Sequence, residues 1–313
     1  MGIEEELDAV ITRWGPWTAH NVELAPGIFT RPESAGAPNP RIRQVLQLVA
    51  DLLAAKDDLA GARVADLGCL EGGFAIELAL HGAVATGLEG RENNVERARF
   101  AASALGLGER CTFMQDDVRN FTKEKYGDFD VVLCLGLLYH LEAGSVFQVL
   151  DAMYQCTTRA LVLDTHVSKR HSYAHEHAGR AYTGHLYREH SAADSASKVE
   201  SRGLSSLDNL TSFWPNRASL YDALASVGFT SVLECHLPQS TSSLTDRIQL
   251  VAMKGAPADV RTVARTAEPL PPYQHVGQLT AREALREFVG AAAQLRDATQ
   301  RKLVSVARRS KKR

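Results

Sequence analysis

Between Val64 and Phe74 the chain reads Val-Ala-Asp-Leu-Gly-Cys-Leu-Glu-Gly-Gly-Phe, an apolar run followed by glycines and then a helical pattern. A glycine-rich turn between a strand and a helix is where backbone can meet a nucleotide-like ligand. Gly68 permits the tight turn, while Gly72 and Gly73 let a ligand approach the helix N-terminus. The spacing is G-x-x-x-G, not the G-x-G-x-x-G of a dinucleotide site. Asp66 and Glu71 put negative charge where pyrophosphate oxygens would sit. Carboxylates there repel phosphate and attract an ammonium, so the loop suits a cationic ligand without phosphate. Glu89 follows about twenty residues on, before Gly90, where a carboxylate can accept two hydrogen bonds from a cis-diol. Asp116 and Asp117 precede Val118 at the end of another apolar run. Each acid alone reads as a turn or cap residue; beside a glycine loop, the set reads as a binding site.

A second group of residues could act on an acceptor. The run from Asp130 ends in Leu135-Gly136-Leu-Leu-Tyr139-His140. His140 can serve as a general base for a hydroxyl acceptor, which must lose a proton on reaction. The competing reading is that it caps the next helix or packs beside Tyr139. Six of the eleven histidines lie between residues 166 and 190: His166, His171, His175, His177, His185 and His190. Glu176, Glu189, Tyr173, Tyr182 and Tyr187 are interleaved with them. His175-x-His177 lacks a companion ligand set, so no metal is expected. The stretch reads as a polar lid over the substrate, with His166 nearest the site and second in the catalytic pair. Tyr139, Tyr182 and Trp214 are the aromatic substrate contacts expected, Trp214 at the pocket rim beside Phe213, where packing is the rival role.

These residues need a scaffold that brings strand ends together. Arg41 to Leu59 shows three- and four-residue apolar spacing, an amphipathic helix. From Ala62 short apolar strands alternate with helices: strands at 63–67, 84–88, 111–115, 129–135 and 160–164, helices near 73–81, 92–105 and 143–156. That alternation builds βαβ units and a parallel sheet. A helix over 217–227, capped by Gly228, leads to strands at 230–235 and 247–253, joined by a short loop as an antiparallel hairpin at the sheet edge. The fold expected is α/β, a doubly wound, Rossmann-like, seven-stranded sheet with five parallel strands, a C-terminal hairpin, and helical additions at both ends. The divisions are 1–60, an N-terminal cover and helix; 61–255, the sheet domain with 166–212 as lid; 256–278, a Pro-rich linker; and 279–313, a final helix.

Over residues 62–254 this pattern resembles the class I methyltransferases, whose cofactor is S-adenosylmethionine. That molecule has no phosphate and carries a sulfonium and an ammonium, as the loop requires. The family's loop is D-x-G-x-G-x-G; here Leu70 stands at the middle glycine. The resemblance implies a cofactor site of Asp66, Gly68, Cys69, Leu70, Gly72, Glu89, Gly90, Asp116, Asp117, Val118, Leu135 and Gly136. In it Asp66 serves the methionine end, Glu89 the ribose hydroxyls and Asp117, before Val118, the adenine amine, with Asp116 the second choice. Trp14, Trp17 and His20 would cover the cofactor. Gly136-Leu-Leu-Tyr139-His140 and the later Phe213-Trp214-Pro215 run also resemble, distantly, the tRNA wobble-uridine carboxymethyltransferases.

The bulk numbers fit a small-molecule enzyme. A net charge of −2 gives no global attraction to nucleic acid, and five scattered cysteines have neither disulfide nor zinc spacing. The chain shows no apolar run long enough to span a membrane and no secretory signal, so a cytoplasmic location is expected. Methyl transfer to oxygen or nitrogen of a sugar or secondary metabolite is the expected reaction, with RNA modification as the alternative. The basic end from Arg301 would serve RNA, and Leu285, Phe288, Val289, Ala292 and Leu295 would give the final helix a face for a homodimer.

Overall fold

The computed structural model describes residues 2–34, 40–54, 58–235 and 246–256. The linker from 257, the final helix and the basic end expected from sequence lie outside them. So does most of the loop joining the last two strands.

The N-terminal part comprises α1 (Ile3–Trp14), the short hairpin β1 (Glu23–Ala25) and β2 (Ile28–Phe29), and α2 (Pro40–Leu53). The sheet domain follows with β3 (Arg63–Leu67), α3 (Gly73–Leu80), β4 (Val84–Glu89), α4 (Glu92–Ala104), β5 (Cys111–Gln115), α5 (Lys123–Tyr126), β6 (Phe129–Leu135), α6 (Ala143–Cys156) and β7 (Thr157–His166). Next come β8 (Tyr173–His177), β9 (Arg180–Arg188), α7 (Ala196–Ser201) and β10 (Thr211–Pro215). The described chain ends with α8 (Arg217–Val227), β11 (Ser231–Glu234) and β12 (Arg247–Met253).

The main sheet has seven strands in the order β11-β12-β7-β6-β3-β4-β5. β3 pairs in parallel with both β4 and β6. The chain therefore winds outward to β5, returns across β3 to β6, and leaves a crevice at their carboxyl ends, where ligands bind in open α/β sheets. β12 runs antiparallel between β7 and the edge strand β11, as the expected hairpin requires. Apart from Asp130, every residue of β6 is buried, which explains its unbroken apolar run. β7 outgrows its expected span because β12 pairs along it from His166 to Ala160.

The segment expected to be an aperiodic lid is instead largely a second sheet, three strands in the order β10-β9-β8. Ala178 and Gly179, with φ of 50° and 74°, make the tight β8–β9 turn whose twist suits a hairpin. Tyr182 and Phe213 point inward onto Phe147 of α6. The sequence hid this sheet because inward positions such as His175, His177 and Gly184 are polar or small, so no clean alternation of apolar and polar types appears. Between β9 and β10 the chain leaves the sheet, forms α7, and returns toward the crevice through the stretch from Arg202 to Asn209.

Candidate active site

A cavity of about 270 Å³ opens at the carboxyl ends of β3, β4 and β6, between Gly68, Glu89 and Gly136 on the sheet side and Leu204 to Asn209 opposite. It gathers Gly68, Leu70, Glu89, Gly90, Asp116, Asp117, Val118, Leu135, Gly136, Tyr139 and His140, eleven residues singled out from sequence. A smaller cavity of about 100 Å³ adjoins it, bounded by Ala19, His20, Arg41, Asp66 and Phe74, and shares Gly68, Leu70 and Leu135 with it.

The backbone of the glycine loop is what orients the acids. Gly68 has φ of 66°, and its N–H donates to the Leu88 carbonyl at 2.8 Å. Leu70 also adopts a left-handed conformation, φ 48°, at the position where glycine is usual. In that conformation its N–H donates to Glu89 Oε2 at 3.1 Å, while the Arg91 N–H donates to Oε1 at 2.9 Å. Glu89 is buried and each of its oxygens is held by one amide, which leaves each with a second acceptor site for a diol. Asp66 is 2% exposed, and its Oδ2 has no hydrogen-bond partner. Burial raises its pKa to about 7 against the opposing Ala75 amide and Arg41. An unmatched buried acceptor beside a pre-set diol acceptor fits the ammonium and ribose of S-adenosylmethionine.

Several expectations are corrected. Cys69 is buried away from the cavity, and its raised pKa, from burial and neighbouring acids, makes it an inert thiol. Gly72 lacks a side chain for packing: a Cβ would come 2.5 Å from Phe113. At Gly73 a Cβ would meet His20 at 2.6 Å. These two glycines admit side chains, not the ligand. Glu71 faces away from the crevice, fully buried, and takes the Thr18 N–H and hydroxyl at 2.7 Å each. It also pairs with Arg97 at 3.7 Å. Of the residues expected to cover the cofactor, His20 lines the smaller cavity and Trp17 is buried in the core, while Ala19 between them lines the larger cavity. Asp116 is engaged by Lys125, Asn120 and the Tyr126 hydroxyl, which outweigh its burial and lower its pKa to about 2. Asp117 caps the turn Val118–Asn120 through the Arg119 N–H at 2.8 Å.

On the acceptor side the two histidines part company. His140 lines the cavity, and its Nδ1 donates to Glu189 Oε1 at 3.0 Å. Glu189 also accepts from the Ser212 hydroxyl at 2.9 Å and the Ser206 N–H at 3.3 Å. Burial pushes its pKa up, but the His140 hydrogen bond and charge, with Ser212 and Ser206, hold it below the usual glutamate value. With Nδ1 carrying the proton, Nε2 presents the lone pair. His166 does not border the cavity. It stacks on Trp214 at 4.7 Å, meets the Tyr139 ring edgewise at 4.6 Å, and pairs with Asp246 at 3.3 Å. Burial, together with Arg247, lowers its pKa against the pull of Asp246. Trp214 likewise stands behind Tyr139, donating its indole N–H to the Tyr139 carbonyl at 3.0 Å. Tyr182 is 1% exposed, stacked on Phe147 and bonded to Ser226, so it has no surface for an acceptor.

Sequence reading left four arginines unassigned. Arg41 and Arg247 enter the cavity from opposite sides of Asp164, at 3.0 and 2.6 Å. Arg91 donates to the carbonyls of Arg202, Ser205 and Ser206, and Arg119 pairs with Asp208 at 2.8 Å, fixing the 202–209 stretch over the cavity. Leu207 fits there because residue 90 is glycine; a Cβ would lie 2.4 Å from it. Glu189 stood among the interleaved acids, but its pairing with His140 spans forty-nine residues and has no local signal.

Residues 64–159 match the family model of a methyltransferase domain. The chain is 36% identical over 85 residues to a ubiquinone biosynthesis O-methyltransferase of Vibrio campbellii, covering 27% of this chain and 35% of that one. It is 30% identical over 122 residues to a magnesium-protoporphyrin O-methyltransferase of Synechocystis, covering 39% and 51%. These matches span about a third to a half of those relatives' length. The crystal structure of the N-terminal domain of EvdMO1 in the presence of S-adenosylhomocysteine and D-fucose superposes with a TM-score of 0.62 at 24% identity, over 82% of this chain and 98% of that one. Residues 64–159 thus carry an S-adenosylmethionine-dependent methyltransferase domain, and the sheet built around them has the fold of the EvdMO1 domain. Among the described residues no helix is long and apolar enough to cross a membrane.

Proposed function

We propose that the chain methylates a hydroxyl oxygen of a small molecule, with His140 as general base. The observation that carries this reading is the His140–Glu189 pair at 3.0 Å on the wall of the cofactor cavity. A nitrogen acceptor with a free lone pair needs no such base, whereas a hydroxyl does. Asp66 would hold the cofactor's ammonium, Glu89 its ribose, and Asp117 with Val118 its adenine. Bound S-adenosylmethionine supplies an electrophilic methyl: the O–C bond forms as the C–S bond breaks, and the pair goes to sulfur. His140 Nε2 takes the hydroxyl proton, and Glu189 stabilises the resulting imidazolium. The 202–209 stretch excludes water and keeps acceptor, methyl and sulfur in line.

The O-methyltransferase names of the two relatives, and the sugar present with the EvdMO1 domain, support a small hydroxylated acceptor. An RNA acceptor would draw on the basic end from Arg301, outside the described residues. The test is calorimetric titration with S-adenosylmethionine and S-adenosylhomocysteine, followed by a screen of hydroxylated acceptors for S-adenosylhomocysteine release. Asp66→Ala and Glu89→Ala should each weaken cofactor binding by about tenfold or more. A folded wild-type chain that binds neither molecule sinks the reading.

A further inference from the structure

Beyond the base, the acceptor side of the cavity carries an array of donors. Arg247 opens β12, and its Nε donates to Asp164 Oδ1 at 2.6 Å. The other oxygen of that buried carboxylate is taken by Arg41 at 3.0 Å. One carboxylate therefore touches both guanidiniums. Arg247 gives its Nε to Asp164, and its Nη2 extends over Gly136. A Cβ at Gly136 would lie 3.3 Å from Arg247 Nη2 and 3.6 Å from the Tyr139 hydroxyl. Gly136 has φ of 95°, so side chains are disfavoured there twice over.

The Tyr139 phenol is a donor in this setting. Burial raises its pKa despite the opposing pull of Arg247 and Arg41, so it keeps its proton at neutral pH. Two nearby acids are paired elsewhere, Glu189 with His140 and Asp246 with His166. A forked guanidinium and a neutral phenol that both reach past Gly136 on the cavity wall form a receptor for an anion. The Tyr139 and His140 rings lie 4.3 Å apart, which puts that spot next to the base.

We propose that Arg247 and Tyr139 hold an anionic group of the acceptor, a carboxylate or a phosphate, close to the hydroxyl that is methylated. The acceptor is then a hydroxy acid or a phosphorylated hydroxyl compound, not a neutral sugar or phenol. This rests on the reading of the cavity as a methyl-transfer site.

The full chain, saturated with S-adenosylhomocysteine, is titrated with benzoate, phenyl phosphate and benzamide, probes of similar shape that differ in charge. At least one anion should bind about tenfold more tightly than benzamide, and the stronger one identifies carboxylate or phosphate. Arg247→Gln should abolish that preference with S-adenosylhomocysteine affinity unchanged. Tyr139→Phe, which preserves the ring packing, should reduce it several-fold and guards against a folding defect in the first variant. Equal binding of all three probes, or binding of none, overturns the proposal. Loss of S-adenosylhomocysteine affinity in Arg247→Gln also overturns it, by assigning Arg247 to the cofactor. Failure of the wild type to bind S-adenosylhomocysteine appears in the first titration and overturns the methyltransferase reading beneath it.

Discussion

The Nδ1 of His140 lies 3.0 Å from Oε1 of Glu189, joining the turn after β6 to the residue that follows β9. The second sheet thereby fixes the tautomer of a histidine on the first. Asn209 adds a hydrogen bond from its amide to the His140 carbonyl at 3.1 Å, and Trp214 holds the carbonyl next to it. The insertion thus positions the proposed base, and its 202–209 stretch lies over the cavity.

If His140 removes the acceptor proton, His140→Gln should lower kcat by about a hundredfold to ten-thousandfold. Binding of S-adenosylhomocysteine should be unchanged, because His140 borders the acceptor part of the cavity. Glu189→Gln should cost about tenfold to a hundredfold, since the imidazole stays in place but loses the carboxylate that stabilises its charged form. Single-turnover rates with a saturating acceptor check both. A histidine that only packs beside Tyr139 would leave kcat within a few-fold of wild type.

Asp66 carries a pH prediction. Its pKa is raised by burial from 3.8 to about 7, so the ligand-free folded chain binds a proton that the unfolded chain releases. Its stability contribution is full below about pH 4 and is lost as pH rises through about 7. Asp66→Asn should therefore stabilise the ligand-free chain at pH 8, by at most on the order of 4 kcal/mol, and change little at pH 4. Cofactor binding should strengthen in the wild type as pH rises through about 7, because the ammonium pairs with the ionised carboxylate. Thermal melts and titrations at three pH values test both signs. A cofactor affinity that is flat with pH would remove Asp66 from the ammonium.

How much of this was legible depended on whether each signal was local. Asp66, Gly68 and Glu89 sit at strand ends whose runs are apolar on both faces, so periodicity placed them and β6 together at one crevice. Gly72 and Gly73 were legible as glycines but not in role. What demands them is Phe113 on β5 and His20 on the cover, contacts made only once the chain has folded. Glu71 was misread for the same reason, its partners Thr18 and Arg97 lying on either side in sequence. The second sheet escaped because half of its inward positions are polar or small. Arg247 carried no motif at all; it matters because β12 inserts beside β7 and sets it against Asp164.

The cover over the cavity should be held largely by Arg91. Its guanidinium donates to three carbonyls between Arg202 and Ser206, at 3.0 to 3.4 Å. Arg91→Ala removes them all and leaves the stretch to Arg119–Asp208 and to the bonds of Ser206 and Asn209. Hydrogen exchange should accelerate over residues 202–209, and S-adenosylhomocysteine should dissociate roughly tenfold faster, the equivalent of about one hydrogen bond to a charged group. Exchange rates unchanged from wild type would mean that Arg119–Asp208 and the bonds of Ser206 and Asn209 suffice to hold the stretch.

The clamp at Glu71 separates two roles for one carboxylate. Fully buried, it gathers the Thr18 hydroxyl and the amides of Thr18, Ala19 and His20, and it faces Arg97. Glu71→Ala leaves a buried guanidinium and several amides without an anion, at a cost of about 3–5 kcal/mol. In a chain of this size that lowers Tm by about 5–8 °C. Glu71→Gln retains the shape but loses the charge, and should fall between the two. Because Ala19 borders the cavity, cofactor affinity should fall with stability, and proteases should cut the first twenty residues more readily. A carboxylate that faced the ligand would behave oppositely: its removal would alter affinity and leave Tm where it was.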